Sequence, residues 1–296
     1  MFSAKMRSVF EPWLYLSPAI ILLVLVMFLP LVIGFTYSFQ HYSLFRPNDI
    51  TWAGFANFEQ LWSDWKFWKA LKNTVWWTFG SVSIQFILGL GLALLLNRTF
   101  PARRLIQALV FLPWAVPTFL SGLTWAWLFN PVIGPLPKIL YAVGLTDSAY
   151  ESILADPAIA MWGPITANVW FGIPFFAITL LAALQSIPKD LYEAAAMDGA
   201  SAWQGFTKIT LPFLAPMIAI TVMLRTIWIA NFPDFIYTMT KGGPANSTEI
   251  VATYIFTTAF RRLDFGYASA VAMVLLLLLL AYAFILLNMR RIQAKG

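Results

Sequence analysis

A chain of 296 residues with no cysteine and one histidine, His41, has no thiol nucleophile, no disulfide and no Cys or His set for zinc. The side chains that could still act on a solute are polar groups set inside long apolar runs: Asn168, Arg225, Asn231 and Asp234. Such groups are costly in lipid, so each is a candidate for function. Asn231 and Asp234 stand three apart, which places them on one helix face, and Trp228 continues that face. Hydrogen-bonding groups beside an aromatic ring suit a sugar, whose hydroxyls need partners and whose C–H face needs an apolar platform. An interhelical hydrogen bond that fixes packing is the competing reading of the pair. Arg225, nine residues before Asp234, lies on the opposite side of the helix. It reads as the structural partner of another span or of a carbonyl cluster; facing a pathway, it would favour an anionic solute.

These residues belong to a chain that is 60% apolar and only 11% charged, where a soluble domain carries about 25% charged residues. A helix needs about 20 apolar residues to cross a bilayer, and it alone satisfies its own backbone hydrogen bonds there. Six stretches qualify, at about residues 13–39, 75–96, 105–129, 159–184, 211–235 and 267–289. The expected fold is an all-α integral membrane domain of six transmembrane helices, one domain over residues 1–296. Pro30, Gly89, Gly91, Pro113, Pro117, Gly172, Pro174 and Pro233 are its candidate kinks. The first stretch exceeds the apolar core of a secretory signal, about 15 residues at most, and reads as a retained helix.

If the N-terminus is cytoplasmic, the inner segments hold ten Lys and Arg in 53 residues and the outer ones eight in 95. The excess, concentrated at Arg98, Arg103, Arg104, Arg290, Arg291 and Lys295, places both termini inside. The net charge of +6 forms no basic stripe, which argues against nucleic acid and for membrane lipid. Outside, Phe55, Phe58, Trp62, Trp65 and Trp68 recur every three or four residues between Thr51 and Asn73. That spacing predicts an amphipathic helix at the interface, as an anchor or as a docking surface. Residues 130–158 read as a structured outer loop.

The inner loop between the fourth and fifth spans, residues 186–212, does not belong in a bilayer. Ser186 is placed to cap a helix with Pro188 in its first turn and Asp190 near its positive end. Gly199 supplies a left-handed stop, and Ser201 with Gln204 has capping-box spacing for a second helix running into the fifth span. The small side chains of Ala194, Ala195 and Ala196 permit close approach to another surface. That surface is either the inner ends of neighbouring spans or a partner.

Residues 193–212 match E-A-A-x3-G-x9-I-x-L-P at Glu193, Ala194, Ala195, Gly199, Ile209, Leu211 and Pro212. This resembles the EAA loop of permease subunits of binding-protein-dependent ABC importers. Ile187-Pro188, Asp190-Leu191-Tyr192 and Asp198-Gly199-Ala200 resemble the carbohydrate branch. Thr240-Lys241-Gly242-Gly243-Pro244, Tyr254 and Phe265-Gly266-Tyr267-Ala268-Ser269-Ala270 are similar to the MalF/UgpA type. The resemblance implies the MalF/MetI-like ABC permease fold in the bacterial inner membrane. It also implies a coupling role for Leu191, Tyr192, Glu193, Ala194, Ala195, Asp198 and Gly199, seated against a cytoplasmic ATPase.

Further partners follow from the resemblance: a second homologous permease, two ABC ATPase subunits and a periplasmic solute-binding protein. Substrate-binding roles transfer by it to Asn168, Phe171, Gly172, Asn231 and Asp234, with Trp228 and Arg225 as further candidates. Asn168-Val169-Trp170-Phe171-Gly172 resembles the N-x-W-x-G stretch that lines the sugar site in the family. The sequence has no G-x-x-x-x-G-K-[ST], so ATP and Mg would be bound by the partner and no cofactor by this chain. The rival is an ion-coupled secondary transporter, which would place carboxylates in several spans; Asp234 is the only acidic residue in any. No nucleophile–base pair or metal cluster supports a membrane-embedded enzyme.

Overall fold

A computed structural model describes residues 4–293, with side chains over residues 12–288. Lys295 lies outside the described residues, as do the side chains of Arg290 and Arg291. The described residues are mostly helical. It opens with α1 (Ala4–Leu23), a π-helical turn (Val24–Phe28) and α2 (Leu29–Tyr37). A two-stranded hairpin of β1 (Gln40–His41) and β2 (Thr51–Trp52) leads to α3 (Ala56–Ser63). Then come α4 (Trp65–Leu96), α5 (Arg103–Ala115), α6 (Thr118–Leu128), α7 (Pro135–Ala142) and α8 (Trp162–Gln185). The elbow helices α9 (Lys189–Met197) and α10 (Ala202–Gly205) precede a second π turn, Phe206–Thr210. The chain continues through α11 (Leu211–Ala230), α12 (Asp234–Met239), α13 (Val251–Phe260) and α14 (Phe265–Gln293).

Among the described residues, five helical stretches are long and apolar enough to cross a bilayer, and a bent pair makes a sixth. In that pair the span expected over 105–129, with Pro113 and Pro117 as candidate kinks, is sharply bent: α5 and α6 meet at 97°. Pro117 drives its predecessor out of helical space, and Val116 is extended at φ −98°, ψ 127°. The span expected over 211–235 is broken as well. Its helix ends at Ala230, and Asn231-Phe232-Pro233 separates it from α12. Pro30 and Pro212 act more gently. Each follows a π turn by two residues, the wider turn accommodating a residue that cannot donate to the carbonyl four before it. Pro113, Pro174, Gly89, Gly91 and Gly172 remain inside helices.

The amphipathic outer helix is shorter than its aromatic spacing predicts. α3 stops at Ser63, Asp64 is extended, and Trp65 and Trp68 already belong to the spanning helix α4. The chain separates into two compact units, residues 1–64 with 255–277 and residues 65–254 with 278–296. Within the first, Asn57 Nδ2 donates to the Ser38 and Gln40 carbonyls at 2.9 and 3.0 Å, and Tyr267 Oη donates to Asp64 at 2.7 Å.

The second unit is organised by the crossing of α4 and α8. Without a hydrophobic drive between helices in lipid, close packing and buried hydrogen bonds hold them. Gly89 permits that approach, since a Cβ there would strike Phe176, which is fully buried with Leu180 and Leu214. Trp77 ties α4 to α11 by donating Nε1–H to the Ile229 carbonyl at 2.9 Å.

Candidate functional site

At the heart of the second unit a polar bridge joins three spans. Gln85 of α4, with no exposed surface, donates Nε2–H to the Asn168 carbonyl of α8 at 2.8 Å. Its Oε1 accepts from Arg225 Nε of α11, also at 2.8 Å. One carboxamide therefore serves both neighbours. Arg225 is 2% exposed, and its guanidinium lies over the rings of Trp228 (5.1 Å) and Phe175 (5.8 Å). The flat, weakly hydrated guanidinium suits this place better than an ammonium, because it stacks on rings while still donating at its edge.

Gly172 lies against the bridge. A Cβ at that position would collide with the Gln85 carboxamide and the Arg225 guanidinium, so any side chain there would force the bridge to shift. Asn168 is wholly buried, yet neither its side-chain Nδ2 nor its Oδ1 has a partner. An unpaired buried amide is costly and native folds retain few. Thr78 and Ser81 of α4 add two more buried hydroxyls without partners.

The other expected residues divide into separate places. Phe171 is buried and stacks on Phe232, with centroids 6.2 Å apart, and meets Phe235 edge-on at 5.8 Å; its carbonyl accepts from Trp114 Nε1 at 2.9 Å. Trp228 is half exposed. Asn231 and Asp234 do not share a helix face, because Pro233 lies in the break between them. Asn231 ends α11, is exposed, and donates back to the Ile227 carbonyl at 3.3 Å. Asp234 opens α12 and accepts from the Thr118 hydroxyl of α6. Gly122 and Thr238 are in close contact where these two short helices cross.

Sequence reasoning missed Gln85 and Thr118. Gln85 carried the same signal as Asn168, an amide within an apolar run. Thr118 carried none, since a hydroxyl in a span ordinarily bonds its own helix.

The inner elbow stands apart from the bridge and is built locally. Ser186 does not cap α9; it ends α8, its hydroxyl donating to the Ala183 carbonyl at 2.8 Å. Pro188 takes the capping position instead, extended at ψ 133°. At the far end Gly199 is left-handed at φ +78°. Its N–H donates to Ala196 O at 3.0 Å and that of Ala200 to Ala195 O at 2.9 Å, the paired closure of a Schellman motif. Ser201 and Gln204 form the expected capping box, at 2.7 and 3.3 Å. Leu191, Glu193, Ala194 and Asp198 are exposed, Ala195 is half-buried, and the Tyr192 hydroxyl shares a 2.8 Å hydrogen bond with Thr210.

The match to a known family begins at the bridge itself. Residues 85–294 match the family described as Binding-protein-dependent transport system inner membrane component. The chain belongs to this family. The permease is 34% identical over 289 residues to the trehalose/maltose transport system permease protein MalF of Thermococcus litoralis, covering 98% of this chain and 96% of the relative. It is 36% identical over 280 residues to the sulfoquinovosyl glycerol transport system permease protein SmoG of Agrobacterium fabrum, covering 94% and 89%. Its fold is similar to a crystal structure of a bacterial ABC transporter involved in the import of the acidic polysaccharide alginate. There the TM-score is 0.83 at 26% identity, over 98% of this chain and 99% of the other. The permease is thus a multi-pass membrane component of an ABC importer, and not an enzyme itself.

Proposed function

We propose that this permease passes a sugar or sugar derivative from a periplasmic binding protein into the cytoplasm by alternating access. The observation that carries the reading is the elbow: a short exposed helix, closed at a left-handed glycine and capped into the next span, with the E-A-A residues on it. Such an element is stiff because its turns satisfy their own hydrogen bonds, and exposed because none of α9 is buried in this chain. Seated in a cytoplasmic ATPase, it would pass the closure of that subunit into α11, with which it is nearly continuous. Relatives named for trehalose, maltose and a sulfosugar derivative support the sugar class.

Asn168 is the best-placed solute ligand in this reading, since its amide lacks a partner within the chain. Phe171, Gly172, Trp228, Asn231 and Asp234 would line the remainder of the path, with Arg225 holding the bridge behind them. A second homologous permease would complete the pathway, and two ATPase subunits would bind ATP and Mg, so that this chain needs no cofactor. Both termini would face the cytoplasm, as the elbow does.

Uptake in proteoliposomes tests this. The permease reconstituted with its co-isolated subunits and binding protein is expected to accumulate the sugar that this binding protein retains, only with ATP and unaffected by ionophores. Ion-gradient-driven uptake by this chain alone would instead support the secondary-transporter reading.

A further inference from the structure

On the same side of the membrane as the elbow, the end of α4, the start of α5 and the end of α8 enclose an open-mouthed cavity of about 780 Å³. Its polar lining is Thr99, Arg103, Arg104, Gln107 and Gln185, with no carboxylate among them. The Arg103 Nε is shut off from solvent and has no hydrogen-bond partner. Neither guanidinium forms an ion pair among the described residues. The helix itself gains nothing from the two charges. Arg103 and Arg104 occupy the first two positions of α5, where the helix dipole disfavours cations and adjacent like charges repel. Two cations held against both effects around one cavity call for an anion with several acceptor oxygens. A guanidinium pair matches phosphate in charge and in the planar geometry of its donors.

The surroundings of the cavity say which phosphate. Leu105 lies in its lining, and from it Leu105, Leu109 and Leu112 run along one face of α5 at 61, 52 and 55% exposure. Their spacing of four and three forms a single apolar stripe leading away from the arginines into the span. An anion with a long apolar tail matches this charge-then-stripe sequence along its whole length; a free phosphate uses only its head. The depth fits as well, because two spans end here and a third begins, the level at which lipid headgroups lie. We infer that this cavity is a binding site for an anionic phospholipid, with its phosphate on Arg103 and Arg104 and an acyl chain along the leucine stripe.

Native mass spectrometry tests this on the purified permease with its co-isolated subunits. The micelles would hold equal phosphatidylglycerol and phosphatidylcholine with matched acyl chains. The wild type is expected to retain one phosphatidylglycerol that Arg103→Gln/Arg104→Gln loses, with a preference over phosphatidylcholine of about thirtyfold from two arginines. The charge-matched Arg46→Gln/Lys138→Gln variant should keep that lipid, and Arg103→Lys/Arg104→Lys should keep it more weakly. If the double glutamine variant fails to fold, the exposed Arg104→Gln alone carries the test, with an expected loss of about fivefold. Equal retention of phosphatidylglycerol by wild type and glutamine variants would overturn the inference. Displacement of the lipid by millimolar inorganic phosphate would reassign the cavity to a soluble phosphate. Loss of a co-isolated subunit in place of lipid would reassign it to a protein contact.

Discussion

The bridge at Gln85, Asn168 and Arg225 and the elbow between α8 and α11 solve opposite problems in the same chain. Bridge hydrogen bonds join residues 83 and 140 positions apart and are wholly buried. Those that shape the elbow's turns join residues at most five positions apart, Ala200 to Ala195 being the widest, and lie at an exposed surface; only the part-buried Tyr192–Thr210 bond reaches further, over 18 positions. A buried network fixes the mutual placement of whole helices, because each unmet donor or acceptor costs its full desolvation. A local one fixes only the path of the backbone, and leaves the side chains free to meet another molecule. The difference teaches where damage should spread: from the bridge into the fold, from the elbow into coupling.

The largest effect is expected for Gln85→Leu, which removes the acceptor of the Arg225 Nε–H and the donor to the Asn168 carbonyl together. Resistance to unfolding in denaturing detergent should fall by about 3 kcal/mol. Gly172→Ala drives a methyl group into the same two side chains and should cost about 2 kcal/mol by the same assay, since an overpacked site must shift its neighbours. Wild-type stability in either variant would show that the bridge does not set the helix placement.

Asn168→Leu sharpens the comparison by its sign. Its amide has no partner within the chain, so replacing it with an apolar group should leave stability unchanged or raise it by about 1 kcal/mol. ATP-driven sugar uptake should fall in the same variant. A destabilised Asn168→Leu would assign the amide to folding and not to the solute. At the elbow Ser201→Ala removes an exposed cap and should cost about 0.5 kcal/mol. Amide exchange at residues 202–205 should quicken, while the bridge remains protected.

What was legible in the sequence follows the same division. Gly199, Ser201 and Gln204 could be placed because a Schellman stop and a capping box depend on residues a few positions apart. The spans were legible from apolar length alone. The 97° bend before Pro117 and the break at Pro233 were visible only as candidate kinks, because prolines inside α5 and α8 leave those helices unbroken. The carboxamide of Gln85 could be seen as a polar group in a span, but its two partners depend on the crossing of α4 and α8. Asn231 and Asp234 were placed on one face by counting through a helix that stops between them.

The coupling role proposed for the elbow is tested most directly at Gly199. Within this chain no atom lies within 4 Å of where its Cβ would be, so the strain that a substitution causes inside the chain comes from the backbone at φ +78°. Asparagine tolerates that conformation, whereas a β-branched residue pays about 1–2 kcal/mol to adopt it. Binding-protein-stimulated ATP hydrolysis by the reconstituted complex should therefore survive Gly199→Asn and be lost in Gly199→Val. Full stimulated hydrolysis with Gly199→Val would contradict the account.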